Sequence, residues 1–198
     1  MESRETRASL LSRVRDPSDD AAWREFDETY RDLILRYCRA RGLQTADAED
    51  VRQLVMFGLA KALRSFEYQP QRGRFRHYLC RTIRNAIVQN QARPKQAVEA
   101  LEIVGFGVAA ESGSEESDAV WEREWMDHHY RQAMKTIRAS FEPQSVEVFD
   151  RLLSGGTADV VAAEFGTTSQ AVHKIKQRIR NRMMELVQEQ IRLEDEPL

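Results

Sequence analysis

Apolar residues recur at three- and four-residue steps along almost every periodic segment of this 198-residue chain. That period builds helices, and no segment alternates convincingly enough for a strand. Trp23, Phe26, Tyr30, Leu33, Ile34 and Tyr37 set the period in a segment that Asp19 or Asp20 can cap and that runs to about Arg41, where Gly42 suits the left-handed residue just past a helix end. A second helix starts at Thr45 or Asp47. Asp47, Glu49 and Asp50 crowd its first turn, where carboxylates favour the positive end of the helix dipole, and Val51, Leu54, Val55, Leu59, Ala62, Leu63 and Phe66 form its apolar stripe. Pro70 and Gly73 punctuate a loop over 67–73, and a third helix is predicted from about Arg74 to Ala92, ending before Pro94.

Residues 95–117 break the pattern with Gly105, Gly107, Gly113 and several serines, the composition of a flexible linker. Helix resumes near Asp118 and runs to about Ser140, with Trp121, Trp125, Met126, Tyr130, Met134 and Ile137 as its apolar face. Pro143 suits the first turn of the next helix, which Ser154-Gly155-Gly156 stops. Two more helices, Thr157–Phe165 and Thr168 to about Ile191, flank Gly166-Thr167. The expected fold is therefore all-α, with two small helical domains: 1–94 including an N-terminal leader helix, an acidic linker 95–117, a second domain 118–193, and an acidic tail 194–198.

The formal net charge is −2, yet residues 1–95 sum to +6 and residues 96–142 to −6. An overall balance near zero thus says nothing against a polyanionic partner. Cys38 and Cys80 stand far apart with no C-x-x-C, as reduced thiols of a cytoplasmic protein would. His77, His128, His129 and His173 have no partners at metal-ligand spacing, and neither a metal nor another cofactor is expected. No signal-peptide core or membrane-length apolar run occurs.

Two constellations carry the chemistry. In 157–183, a short helix, a Gly-containing turn and a Ser/Thr-capped helix make a helix-turn-helix pattern. Thr168, Ser169, Gln170, His173, Lys174 and Gln177 are its candidates for reading base edges, and Arg178 belongs to a run of five bases without an acid between Glu164 and Glu185. In 72–93, six arginines interleave with Phe75, His77 and Tyr78, again without an acid. Rings that stack on bases beside cations that hold the backbone suit single-stranded nucleic acid, although Phe75 and Tyr78 at helical spacing equally suit a core.

The stretch Asp47-Ala48-Glu49-Asp50, then Phe66, Arg72-Gly73-Arg74-Phe75-Arg76-His77-Tyr78-Leu79 and Arg84-Asn85 resembles region 2 of sigma-70 family factors, specifically the extracytoplasmic-function class. The C-terminal pattern is similar to that family's region 4. Leu54 departs from the class, which carries an acid after the glutamine retained here as Gln53. The resemblance implies a non-enzymatic transcription initiation factor without a small-molecule substrate. Asp47, Glu49, Asp50 and Gln53 would bind the β′ clamp helices of core RNA polymerase. Arg72, Arg74, Phe75, Arg76, Tyr78, Arg81, Arg84 and Asn85 would hold the unwound −10 element, and the second domain would bind the −35 duplex of promoter DNA. A flexible linker would also let an inhibitory anti-sigma factor clamp the two domains together. Two other classes fit parts of the sequence: an operator-binding regulator that never joins polymerase, and a helical enzyme using His128 and His129 with Glu124 and Asp127.

Overall fold

A computed structural model describes residues 10–16, 18–63, 75–92 and 115–195, all helix and turn. After a short helical turn at 10–13 come α1 (Asp20–Ala40), α2 (Thr45–Leu63), α3 (Phe75–Ala92), α4 (Glu115–Ser140), α5 (Pro143–Leu153), α6 (Ala158–Glu164) and α7 (Ser169–Asp195). Phe66 and the loop over 67–73 lie outside the described residues, as does the expected linker up to residue 114. No helix among the described residues is long and apolar enough to cross a membrane.

Helix ends follow the local chemistry. Asp19 caps α1 by accepting from Ala22 N at 2.8 Å, and Arg13 binds that same carboxylate at 3.0 Å. Three helices end in the same way. Past α1, Gly42 N bonds Arg39 O at 2.9 Å and Leu43 N bonds Cys38 O at 3.1 Å, with Gly42 at φ 86°. The same two bonds close α5 through Gly155 and Gly156, and α6 through Gly166 (φ 62°) and Thr167. Each pair satisfies carbonyls that the helix itself leaves open.

The chain divides into two units, Met1–Met126 with Leu193–Leu198, and Asp127–Arg192. In the first, α1 packs on α2 and α2 on α3. Phe26, Leu33, Ile34, Tyr37, Val51, Val55, Leu59, Leu79 and Ile83 fill the core, closed at one end by Leu10, Leu11 and Val14 of the leader. Burial pushes the thiols of Cys38 and Cys80, both in this core, up to about 12 and about 11, so neither is nucleophilic at neutral pH. The unit boundary falls inside α4, not at its start. Trp121 and Trp125, expected in the second domain, are buried with the first core, Trp121 edge-on to Tyr37 at 5.3 Å. Helical spacing marks a stripe as apolar but does not say which core it enters.

In the second unit, one cluster joins Ala133, Met134 and Ile137 to Val146, Phe149, Ile179, Met183 and Leu186. Another joins Val148, Val161, Ala162 and Val172, with Ile175 packed against both. Gly156 is where α5 and α6 meet most tightly: a Cβ there would lie 2.8 Å from Val161 Cγ2 and 3.0 Å from Arg151 O. Val161 is fully buried and cannot swing away. Gly156→Ala should therefore cost roughly 1–3 kcal/mol of stability, read as a lowered melting midpoint.

Candidate nucleic-acid interface

α3 opens on Phe75 and has no acidic residue in its first turn, leaving its basic residues unopposed from their own helix. Its period turns Phe75, Leu79, Cys80, Ile83, Ala86 and Ile87 into the core. His77, Arg81 and Val88 stay exposed, and Arg76, Tyr78, Arg84 and Asn85 lie half-buried at the edges of that face. Arg72 and Arg74 lie outside the described residues.

Phe75 is where expectation and placement part. Its ring is 5% exposed, 6.1 Å from Phe26 and 5.5 Å from Tyr30, both edge-on. In this conformation it presents no face to a base and instead pins the start of α3 to α1. Tyr78 packs against the same core, its phenol pushed above the ordinary value by burial.

Arg84 donates from Nε to Tyr37 Oη at 3.0 Å and binds Asp118 Oδ1 at 2.6 Å. Burial works against its charge most strongly, but those two hydrogen bonds together outweigh it and hold the guanidinium above its ordinary value. Arg76 pairs with Glu122 and lies 6.0 Å over the ring of Trp125.

α2 carries a different face. Asp47, Asp50 and Gln53 are exposed, whereas Val51, Val55 and Leu59 are buried opposite them. Glu49 is tied inward: Arg52 binds it at 2.8 Å, Arg31 at 2.6 Å, and Arg52 also reaches Asp27 at 2.6 Å. Its carboxyl is held below the usual range, chiefly by the Arg52 hydrogen bond. Glu49 thus braces α2 against α1, while its neighbours face outward. The exposed line continues to Phe57, 62% exposed. Sequence reasoning passed over Phe57. The signal was there: Ala48, Val51, Val55 and Leu59 complete a core line that has no place for it.

In the second unit Thr157 caps α6, accepting from Val160 N at 3.4 Å, and Thr168 caps α7, accepting from Ala171 N at 3.2 Å. Ser169 donates to Asp159 in the first turn of α6, tying the two helices across the turn. Thr168, Gln170, His173, Lys174 and Gln177 are exposed near the start of α7, and Gln177 donates to Asn181 at 2.8 Å. Val172, Ile179 and Met183 are buried on the other side. Arg178 is exposed as well, but held by its own unit. Its guanidinium lies 5.2 Å over Phe141 and donates to Ser145 Oγ at 3.3 Å.

His128 and His129 are 2% and 1% exposed, their rings edge-to-face at 5.3 Å, and His129 Nδ1 lies 3.0 Å from Gln190 Oε1. Both are packed interior residues, closed to a substrate.

Compared with known families, residues 26–95 match the family model described as Sigma-70 region 2. No curated protein and no solved structure matches the chain. The matched segment runs from within α1 through α2 and α3.

Proposed function

From the sigma-70 region 2 domain at residues 26–95, we propose that this protein is a sigma factor of the extracytoplasmic-function type, which joins core RNA polymerase, recognises −35 and −10 promoter elements and directs transcription initiation. That match is the observation that carries the reading. The exposed residues of the first unit support it. The line Asp47, Asp50, Gln53 and Phe57 on α2 offers the clamp helices of polymerase an apolar anchor rimmed by polar groups. Arg76, Arg81 and Arg84, with Arg72 and Arg74 just before α3 in sequence, hold the backbone of the separated −10 strand, and Tyr78 and Asn85 border it. Phe75 serves this surface from beneath by fixing the start of α3.

In the second unit α6, the turn and α7 act as a helix-turn-helix. Gln170, His173, Lys174 and Gln177 enter the major groove of the −35 duplex, and Thr168 and Ser169 set the start of α7 against it. Arg178, one turn on from Lys174, is held by Phe141 and Ser145. Lys174→Ala should weaken duplex binding and lower the slope of log K against log salt by ~0.9, one phosphate's worth. Arg178→Ala should change that slope less and lower the melting midpoint more. Duplex titrations across a salt series check both, and an unchanged slope in Lys174→Ala would remove α7 from the groove.

Gel filtration with core polymerase tests the reading as a whole. Co-elution of the chain with core is expected. Binding to duplex DNA without association with core would make it an operator-binding regulator instead, which would leave the exposed α2 line without a use.

A further inference from the structure

The two arginines of α3 that are most enclosed are both held by carboxylates of one other helix. Asp118 binds Arg84 and Glu122 binds Arg76. The acids are four residues apart on α4, about one turn, and the arginines eight apart on α3, about two turns, so one short stretch of α4 holds both arginines. The arrangement is not incidental to a loose surface. Trp121 and Trp125, interleaved with the acids, are 2% and 1% exposed in the core of the first unit. They fix the acidic edge of α4 in register against the basic edge of α3, and Trp125 also lies under Arg76. The arginines are mostly covered, at 19% side-chain exposure each, whereas Asp118 and Glu122 remain 60% and 52% exposed. A carboxylate in that position does what a phosphate oxygen would do: it accepts charge-assisted hydrogen bonds from a guanidinium.

We propose that Asp118 and Glu122 form a built-in phosphate mimic, which occupies Arg84 and Arg76 in the free protein and must be displaced before these arginines grip a nucleic-acid backbone. The lock is electrostatic and the anchor is apolar. The tryptophans stay seated while the guanidinium groups change partner, so α4 need not leave the core. Exposed ion pairs are individually weak and screened by salt. The lock therefore lowers the affinity of the free protein for DNA without preventing capture once polymerase presents the separated strand at high local concentration. The inference rests on reading α3 as the −10 surface.

The test uses the full chain without polymerase, titrated against a short fluorescent single-stranded oligonucleotide over a salt series. Asp118→Asn with Glu122→Gln removes both charges and keeps the shapes. It should bind ~10-fold tighter at low salt, with a salt slope steeper by ~1.4, the value for two added single-strand phosphate contacts at ~0.7 each. Glu28→Gln with Asp32→Asn, an equal change of charge on the exposed side of α1, should raise binding less than ~2-fold. Intrinsic fluorescence, from Trp121 and Trp125 together with Trp23, should be the same in all variants, which reports that α4 remains docked. Equal gains in the two double variants, or tighter binding with an unchanged slope, would overturn the lock. If the Asp118/Glu122 variant binds like the parent while Arg84→Gln binds more weakly, the lock is refuted and the −10 surface stands. If Arg84→Gln also leaves binding unchanged, the −10 surface and the lock fail together.

Discussion

Phe75→Ala should destabilise the N-terminal unit by about 3–5 kcal/mol, the cost of emptying a phenylalanine site in a packed core. Folded domains have only about 5–15 kcal/mol in reserve, so the variant should lose a large share of its stability and melt at a clearly lower temperature. The ring is enclosed, edge-on to Phe26 and to Tyr30. Each such aromatic pair adds about 0.5–1.5 kcal/mol beyond area burial, so truncation also costs the packing of its neighbours. Polymerase binding and strand capture should then fall together, because both faces stand on the same three helices. Phe75→Leu, which keeps most of the volume, should recover most of the stability and both activities. Urea unfolding followed by fluorescence checks the first part. A stable Phe75→Ala protein that binds polymerase normally but cannot hold single strand would show instead that the ring leaves the core when DNA arrives.

Phe57→Ala has the second large effect and the opposite pattern. The side chain is 62% exposed, so stability should change by less than about 0.5 kcal/mol. An exposed aromatic ring ending an otherwise polar line is the kind of residue that dominates an interface, and truncating it should cost about 2 kcal/mol or more, a ~30-fold rise in Kd for core polymerase. Gln53 beside it should contribute less, as a rim group. Leu54, which stands where the resembling class has an acid, is half-buried against the core and adds to the apolar character of this edge. Titration of labelled core with each variant separates these contributions. Unchanged affinity in Phe57→Ala would move the polymerase contact away from this face of α2.

Much of this architecture is visible in the residues alone, because helices announce themselves locally. The apolar period, Asp19 before α1, Gly42 after it, Thr157 and Gly166 around α6 each act within one turn, and each occupies the expected place. What the residues do not display is which of two partners a side chain chooses. An aromatic beside arginines at a helix start suits base stacking and core packing equally, and only the arrival of Phe26 and Tyr30 from α1 decides for Phe75. Arg178 looks like one more phosphate ligand until Phe141 and Ser145 come beneath it. Trp121 and Trp125 continue the stripe of α4 without a break, yet they enter a different core from Ile137. The pairing of Arg84 with Asp118 spans 34 residues and that of Arg76 with Glu122 spans 46. In the sequence these appear only as a basic segment followed by an acidic one.

That charge pattern is also where the proposed function and the proposed lock meet. A surface basic enough to hold a single strand would bind DNA indiscriminately if left open, because backbone contacts carry no sequence information. In the proposed lock, carboxylates held against it by two buried tryptophans would temper that tendency, and polymerase and promoter together would overcome it.

Transcription in vitro with core polymerase, this protein and a genomic template library tests the central claim most directly. The expected result is a set of discrete transcripts that require the protein, with start sites that share a pair of upstream elements at fixed spacing. Duplex binding with no association with core and no transcript dependent on the protein would contradict it.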